Sequence, residues 1–163
     1  MSMISAWRIA TDEQIAALLH EPALIEDLLD DGSSDEIDLD KAWHGIHYLL
    51  TGTAWGGSEP LNYIIEGGRT VGDIEIGYGP ARVLDSAQVR AFGQALAGVT
   101  HEQLRAAYQP TAMARAEVYP NIWDRADESP DEALDYLLAY FDELRAYVIQ
   151  ASDSGKGLIT YIC

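Results

Sequence analysis

Asp40, His44, His47 and Thr51 fall at i, i+4, i+7 and i+11 of a segment whose Leu39, Ala42, Ile46, Leu49 and Leu50 recur at helical spacing. At roughly 100° per residue the four polar side chains share a wedge of about 60°, beside an apolar stripe and with Trp43 at the border. Half of the chain's four histidines thus stand with one carboxylate on one strip. Two imidazoles a turn apart can address one divalent ion, with Asp40 as a ligand or as the group that orients a histidine. The same trio can line a pocket for a polar ligand or serve as proton donor and acceptor. The plainer alternative is that both histidines are partly buried and hydrogen-bonded to backbone or acidic neighbours.

As a metal centre the set is incomplete. It wants a third strong ligand, no H-E-x-x-H pattern occurs, and His20 and His101 lack metal-like spacing. Nucleophilic chemistry has less to work with. There is no G-x-S-x-G elbow, Ser58 lies in Gly56-Gly57-Ser58-Glu59 outside a strand-to-helix turn, and Cys163 has no evident activating partner. Gly155-Lys156-Gly157 lacks the upstream glycine and the following hydroxyl residue of a phosphate loop. Gly67-Gly68 and Gly77-Tyr78-Gly79-Pro80 do not join a strand to a helix as a dinucleotide fingerprint does. The acidic run from Asp27 to Glu36 is out of register for an EF-hand, which would place Leu29 at a ligand position.

The elements that must position these residues follow from caps and periodicity. Met3–Ala10 is β-prone and hands over at Thr11, which with Gln14 forms a capping box for a helix carrying Ile15, Leu18 and Leu19. Pro22 opens a second helix bearing Leu24, Ile25, Leu28 and Leu29. The strip described above is a third, over 38–52. Eight glycines and Pro60 make Gly52–Gly79 irregular, with a short helix expected at Leu61–Ile65. Ala81–Leu84 reads as a strand, and Asp85 with Gln88 and Thr100 with Gln103 cap two more helices. Ser129, Pro130 and Glu132 start a long helix to about Ala151, with Leu134, Leu137, Leu138, Phe141, Leu144 and Val148 as its core stripe. Leu158–Ile162 closes the chain as a strand. The expected fold is therefore α+β: one helix-rich domain over 1–163 with a small sheet of about three short strands.

At 163 residues the chain can bury about two thirds of its unfolded surface around one core, and at 48% apolar it has the residues to do so. No apolar run is long enough to cross a membrane. No basic-then-apolar leader is visible and the single cysteine is Cys163, so a disulfide framework is excluded and the cytoplasm is the expected compartment. The net charge of -17 is unevenly spread. Glu21–Asp40 holds nine acidic residues and no basic one; Asp124–Glu143 holds eight against Arg125 alone. Such a field repels nucleic acid and anionic membranes and attracts a cationic partner.

Several segments together carry a family resemblance. Asp38-Leu39-Asp40-Lys41-Ala42-Trp43-His44-Gly45-Ile46-His47-Tyr48-Leu49-Leu50-Thr51-Gly52 resembles the signature of the YfbM-like family of small bacterial proteins of unknown function. Gly77-Tyr78-Gly79-Pro80-Ala81-Arg82, Val118-Tyr119-Pro120-Asn121-Ile122-Trp123 and Tyr136-Leu137-Leu138-Ala139-Tyr140-Phe141 agree in kind and in order. The resemblance implies one α+β bacterial domain and supplies no activity and no catalytic residues. Its shared motifs single out Trp43, His44, His47, Gly79, Arg82, Tyr119 and Trp123 as a neighbourhood to look for in space.

Two readings of function follow. In the first, the chain is an acidic non-enzymatic module, an inhibitor or immunity-type partner of a basic protein. In the second, it is a small enzyme or ligand-binding protein with its site at Asp40, His44 and His47. There Arg82 would orient an anionic group, Trp43, Tyr119 or Trp123 would wall the pocket, and a divalent metal is the one cofactor to test. A symmetric homodimer is the default assembly for a small bacterial domain.

Overall fold

The three capping boxes fold as the sequence dictates. Thr11 with Gln14 opens α1 (Asp12–His20), Asp85 with Gln88 opens α4 (Ser86–Ala97), and Thr100 with Gln103 opens α5 (His101–Ala107). In each, the cap side chain accepts from the backbone of the third helical residue, whose own side chain reaches back. The computed structural model describes residues 2–32, 35–125 and 130–163. The cap expected at Ser129 lies outside the described residues.

Among the described residues there are seven helices and one antiparallel sheet of five strands, in the order β2-β1-β5-β4-β3. The strands are β1 (Ser5–Ala10), β2 (Glu36–Asp38), β3 (Arg69–Thr70), β4 (Arg82–Leu84) and β5 (Gly157–Ile162); the other helices are α2 (Leu24–Leu29), α3 (Trp43–Thr51), α6 (Pro110–Arg115) and α7 (Pro130–Asp153). The expected α+β class holds, and the expectation of about three strands is corrected to five. β2 and β3 span three and two residues, too few for alternation to register, and β2 is the acidic tripeptide Glu36-Ile37-Asp38. The helix expected at Leu61–Ile65 is a run of turns, and α6, opened by Pro110, was not expected.

Period-two alternation divides the sheet's two faces. Trp7, Leu84 and Leu158 point into the larger core with α3, α4 and α7, whereas Ala10, Val83 and Ile159 point into a smaller core with Ile15, Leu18 and Ile25 of α1 and α2. The registers Leu84 to Leu158 and Val83 to Ile159 keep each pair on one face. No helix among the described residues is long and apolar enough to cross a membrane.

Candidate functional site

The strip that the sequence places on one helix does not survive intact. α3 begins at Trp43, and Asp40 precedes it in a turn with a left-handed backbone (φ 47°). Asp40 therefore faces elsewhere, while His44 and His47 are both fully buried.

His44 is held by two backbone groups. The Tyr119 N–H donates to Nδ1 at 2.8 Å, so the ring proton sits on Nε2, which donates to the Ala54 carbonyl at 2.8 Å. Burial pushes its pKa down, partly offset by the bond to Ala54, and the ring stays neutral. Both lone-pair positions are spent. The ring ties α3 to the loop after it and to the segment before Pro120.

Aromatic neighbours gather around it. Trp43 stacks on Tyr119 at 5.7 Å, and its indole N–H donates to the Met3 carbonyl; the Tyr119 hydroxyl accepts from the Met3 N–H. Trp123 donates to the Val118 carbonyl at 2.7 Å. Its ring and Leu137 lie so close to Gly45 that a Cβ there would meet them at 2.9 and 2.7 Å, which is why a glycine sits mid-helix. Trp43, His44, Tyr119 and Trp123 thus do form one neighbourhood, and their polar atoms fasten the chain rather than face a ligand.

Arg82 lies within electrostatic reach of His47 on α3. Its guanidinium donates to the carbonyls of Tyr63, Ile64, Glu66 and Gly67 at 2.7–3.0 Å, fastening the turns that precede β3. With those donors engaged it does not orient an anionic group. Neither ring nitrogen of His47 has a hydrogen-bond partner; Asn62 Oδ1 is likewise buried and unpartnered. Both side chains border the Gly56–Gly57 turn. Asn62 Nδ2 donates to the Gly57 carbonyl, and the Gly56 backbone influences His47 without reaching hydrogen-bond geometry.

Burial lowers the His47 pKa to about 4, with His44 adding to the drop and Glu66 opposing it. Because an unfolded histidine titrates near 6.5, the unfolded chain binds the extra proton first as pH falls. The neutral ring's contribution is full above about pH 6.5 and is lost towards pH 4, at most about 3 kcal/mol. His47→Leu should therefore flatten the stability profile between these values in chemical denaturation. Parallel profiles of variant and parent would contradict this account of the ring.

The structure does not bring Asp40, His44 and His47 together as one set of ligands. Asp40 is off the helix, His44 has no free lone pair, and no three His, Cys, Asp or Glu among the described residues are grouped to hold an ion.

Asp40 belongs to a different feature. Its Oδ2 accepts from the Tyr136 hydroxyl at 2.7 Å, and that hydroxyl accepts from the Lys41 N–H at 3.1 Å. Burial first, and then the bond to Asp40, raises the Tyr136 pKa, so the phenol stays protonated. Tyr140, edge-on to Tyr136, is raised by burial and then by Asp40, Asp38 and Glu143. Farther along α7, Tyr147 donates to the Asp35 carbonyl, and Tyr161 of β5 donates to Glu36 at 2.9 Å. Glu36, Asp38 and Asp40, at the end of the first acidic block, and Glu143 of the second therefore meet on one face made by edge strand β2, the turn at Asp40 and α7 from Tyr136 to Glu143. Arg8 is committed to Asp31 at 2.6 Å, and no lysine or arginine among the described residues pairs with Glu36, Asp38, Asp40 or Glu143. Both blocks and the tyrosines are legible in the sequence. Their convergence is not, because it depends on a contact between residues 40 and 136.

The fold has a known counterpart. The protein of unknown function YfbM from Escherichia coli matches over 98% of this chain and 99% of its own, with a TM-score of 0.77 and 21% identity, a likeness of fold. The model of the domain of unknown function DUF1877 matches residues 1–161. No curated protein matches the chain.

Proposed function

We propose, for a chain that belongs to the DUF1877 family of domains of unknown function, an acidic, non-enzymatic module that binds a basic protein, as an inhibitor or immunity-type partner does. One observation carries the reading: Asp38 and Asp40 of the first acidic block meet Glu143 of the second beside Tyr136 and Tyr140, and none of the three is ion-paired among the described residues. A concentrated field of one sign accelerates encounter with a partner of the other sign. Tyrosines within it give contact area at low entropic cost, as they do at interface centres.

The test compares two charge-removal variants of equal size, using a fluorescent arginine- and lysine-rich peptide as probe. Asp38→Asn/Asp40→Asn/Glu143→Gln should weaken binding by about tenfold or more. Glu13→Gln/Asp73→Asn/Glu102→Gln, on other elements, should weaken it by about twofold, the effect of net charge alone. Equal losses in both would show that the face has no special role.

The competing reading, a small enzyme or ligand-binding protein at Asp40, His44 and His47, has one observation in its favour, the unpartnered nitrogens of His47. Against it stand the fully engaged His44, the committed Arg82 and the separation of Asp40 from both rings.

A further inference from the structure

On the acidic face lies a cleft of about 570 Å³ between the turn at Asp40, the segment after Pro120 and the start of α7. Pro120, Ile122, Ala133 and Tyr136 make apolar walls, and the carboxylates of Asp40 and Glu132 line it beside the cations Lys41 and Arg125. Its size is that of a site for one side chain or a small ligand. We infer that this cleft is the anchor pocket for an arginine side chain of the basic partner, an inference that rests on the function proposed above.

The walls account for the choice of arginine. An arginine stem is apolar until its last atoms, and its planar guanidinium both stacks on an aromatic ring and forks onto carboxylates. Tyr136 supplies the ring, and its hydroxyl is pinned between the Lys41 N–H and Asp40 Oδ2, so the ring cannot swing away. Asp40 keeps its second oxygen free of any protein hydrogen bond among the described residues, and Glu132 has no ion pair there. Two of the three non-glycine residues with left-handed backbone among the described residues, Asp40 and Asn121, belong to the two turns that frame the cleft. Such conformations, costly away from function, concentrate at binding sites.

Lys41 gives the inference its sharpest sign. Arg125 is already engaged within the protein, whereas the Lys41 ammonium pairs with no carboxylate among the described residues. Lys41 therefore opposes a cationic guest and should be pushed towards solvent by it. A zwitterionic or anionic guest would use Lys41 instead, so one substitution separates the two.

The experiment titrates the isotopically labelled full chain by NMR with N-acetyl-L-arginine amide, its lysine counterpart, and N-acetyl-L-citrulline amide, which has the arginine shape without the charge. Arginine amide should shift the signals of Asp40, Lys41, Ile122, Ala133 and Tyr136. Citrulline amide should leave them in place, and the lysine compound should bind about threefold more weakly. Glu132→Gln should weaken arginine amide about fivefold and Lys41→Gln should tighten it about twofold. Glu132 is exposed and Lys41 is half-buried with no ion pair among the described residues, so neither change threatens the fold. No shift at these signals, or weaker binding in Lys41→Gln, overturns the arginine pocket. If the basic peptide still binds the face while Glu132→Gln changes nothing, the pocket is wrong and the proposed function stands. If the peptide also ignores Asp38, Asp40 and Glu143, the function falls with it.

Discussion

Replacing His44 with alanine should remove about 3–5 kcal/mol of stability, among the largest effects of any single change in this chain. The loss has two sources. The Ala54 carbonyl and the Tyr119 N–H, each bonded to the ring at 2.8 Å, are left buried and unpartnered at about 1–3 kcal/mol apiece. The vacated volume beside Trp43 and Trp55 adds a cavity cost. For a domain of this length the melting temperature should fall by about 10 °C. His44→Phe restores the volume and not the hydrogen bonds, so it should recover only the cavity part. A melt within a degree or two of the parent for both variants would mean that the ring is not the clamp described above.

Arg82→Leu is expected to be comparably damaging, by about 3–5 kcal/mol, because four carbonyls lose their donor at once. Burial lowers the Arg82 pKa to about 10 against the pull of Glu66, so the group is still cationic at neutral pH and its bonds are charge-assisted. Lysine should restore only part of the loss, since a tetrahedral ammonium cannot span the fan that the planar guanidinium reaches. Hydrogen exchange should localise the damage to the turns around residues 58–68. Full recovery by Arg82→Lys, or exchange that quickens evenly over the whole chain, would refute the capping role.

Those two residues show what the sequence can and cannot disclose. Caps are written locally: Thr11, Asp85 and Thr100 sit three residues from their glutamines, and all three boxes form. The stripes of α3, α4 and α7 are equally local and fill the larger core as expected. The polar strip of α3 misleads because periodicity assumes a helix from residue 38, whereas the left-handed Asp40 ends that assumption and turns the carboxylate towards Tyr136. Spacing also cannot say whether a histidine faces solvent. His44 looks like chemistry until the Tyr119 N–H, 75 residues away, is seen to occupy its lone pair. Conversely, Trp43, Tyr119 and Trp123 do meet, as the shared motifs suggested, because they pack one short helix against the segments that frame it. The acidic face was half legible: composition named its two halves, and only the fold could join them.

The measurement that bears most directly on the central claim is the salt dependence of peptide binding, taken in parallel for the parent chain and for Asp38→Asn/Asp40→Asn/Glu143→Gln. Exposed charges are screened over about 10 Å at 0.1 M salt, so affinity carried by this face should fall about tenfold or more between about 50 and 300 mM. The variant should start weaker and lose less. Affinity in the parent chain that is indifferent to salt, or an equally steep fall in the variant, would contradict the claim that the β2–α7 face is what a basic partner recognises.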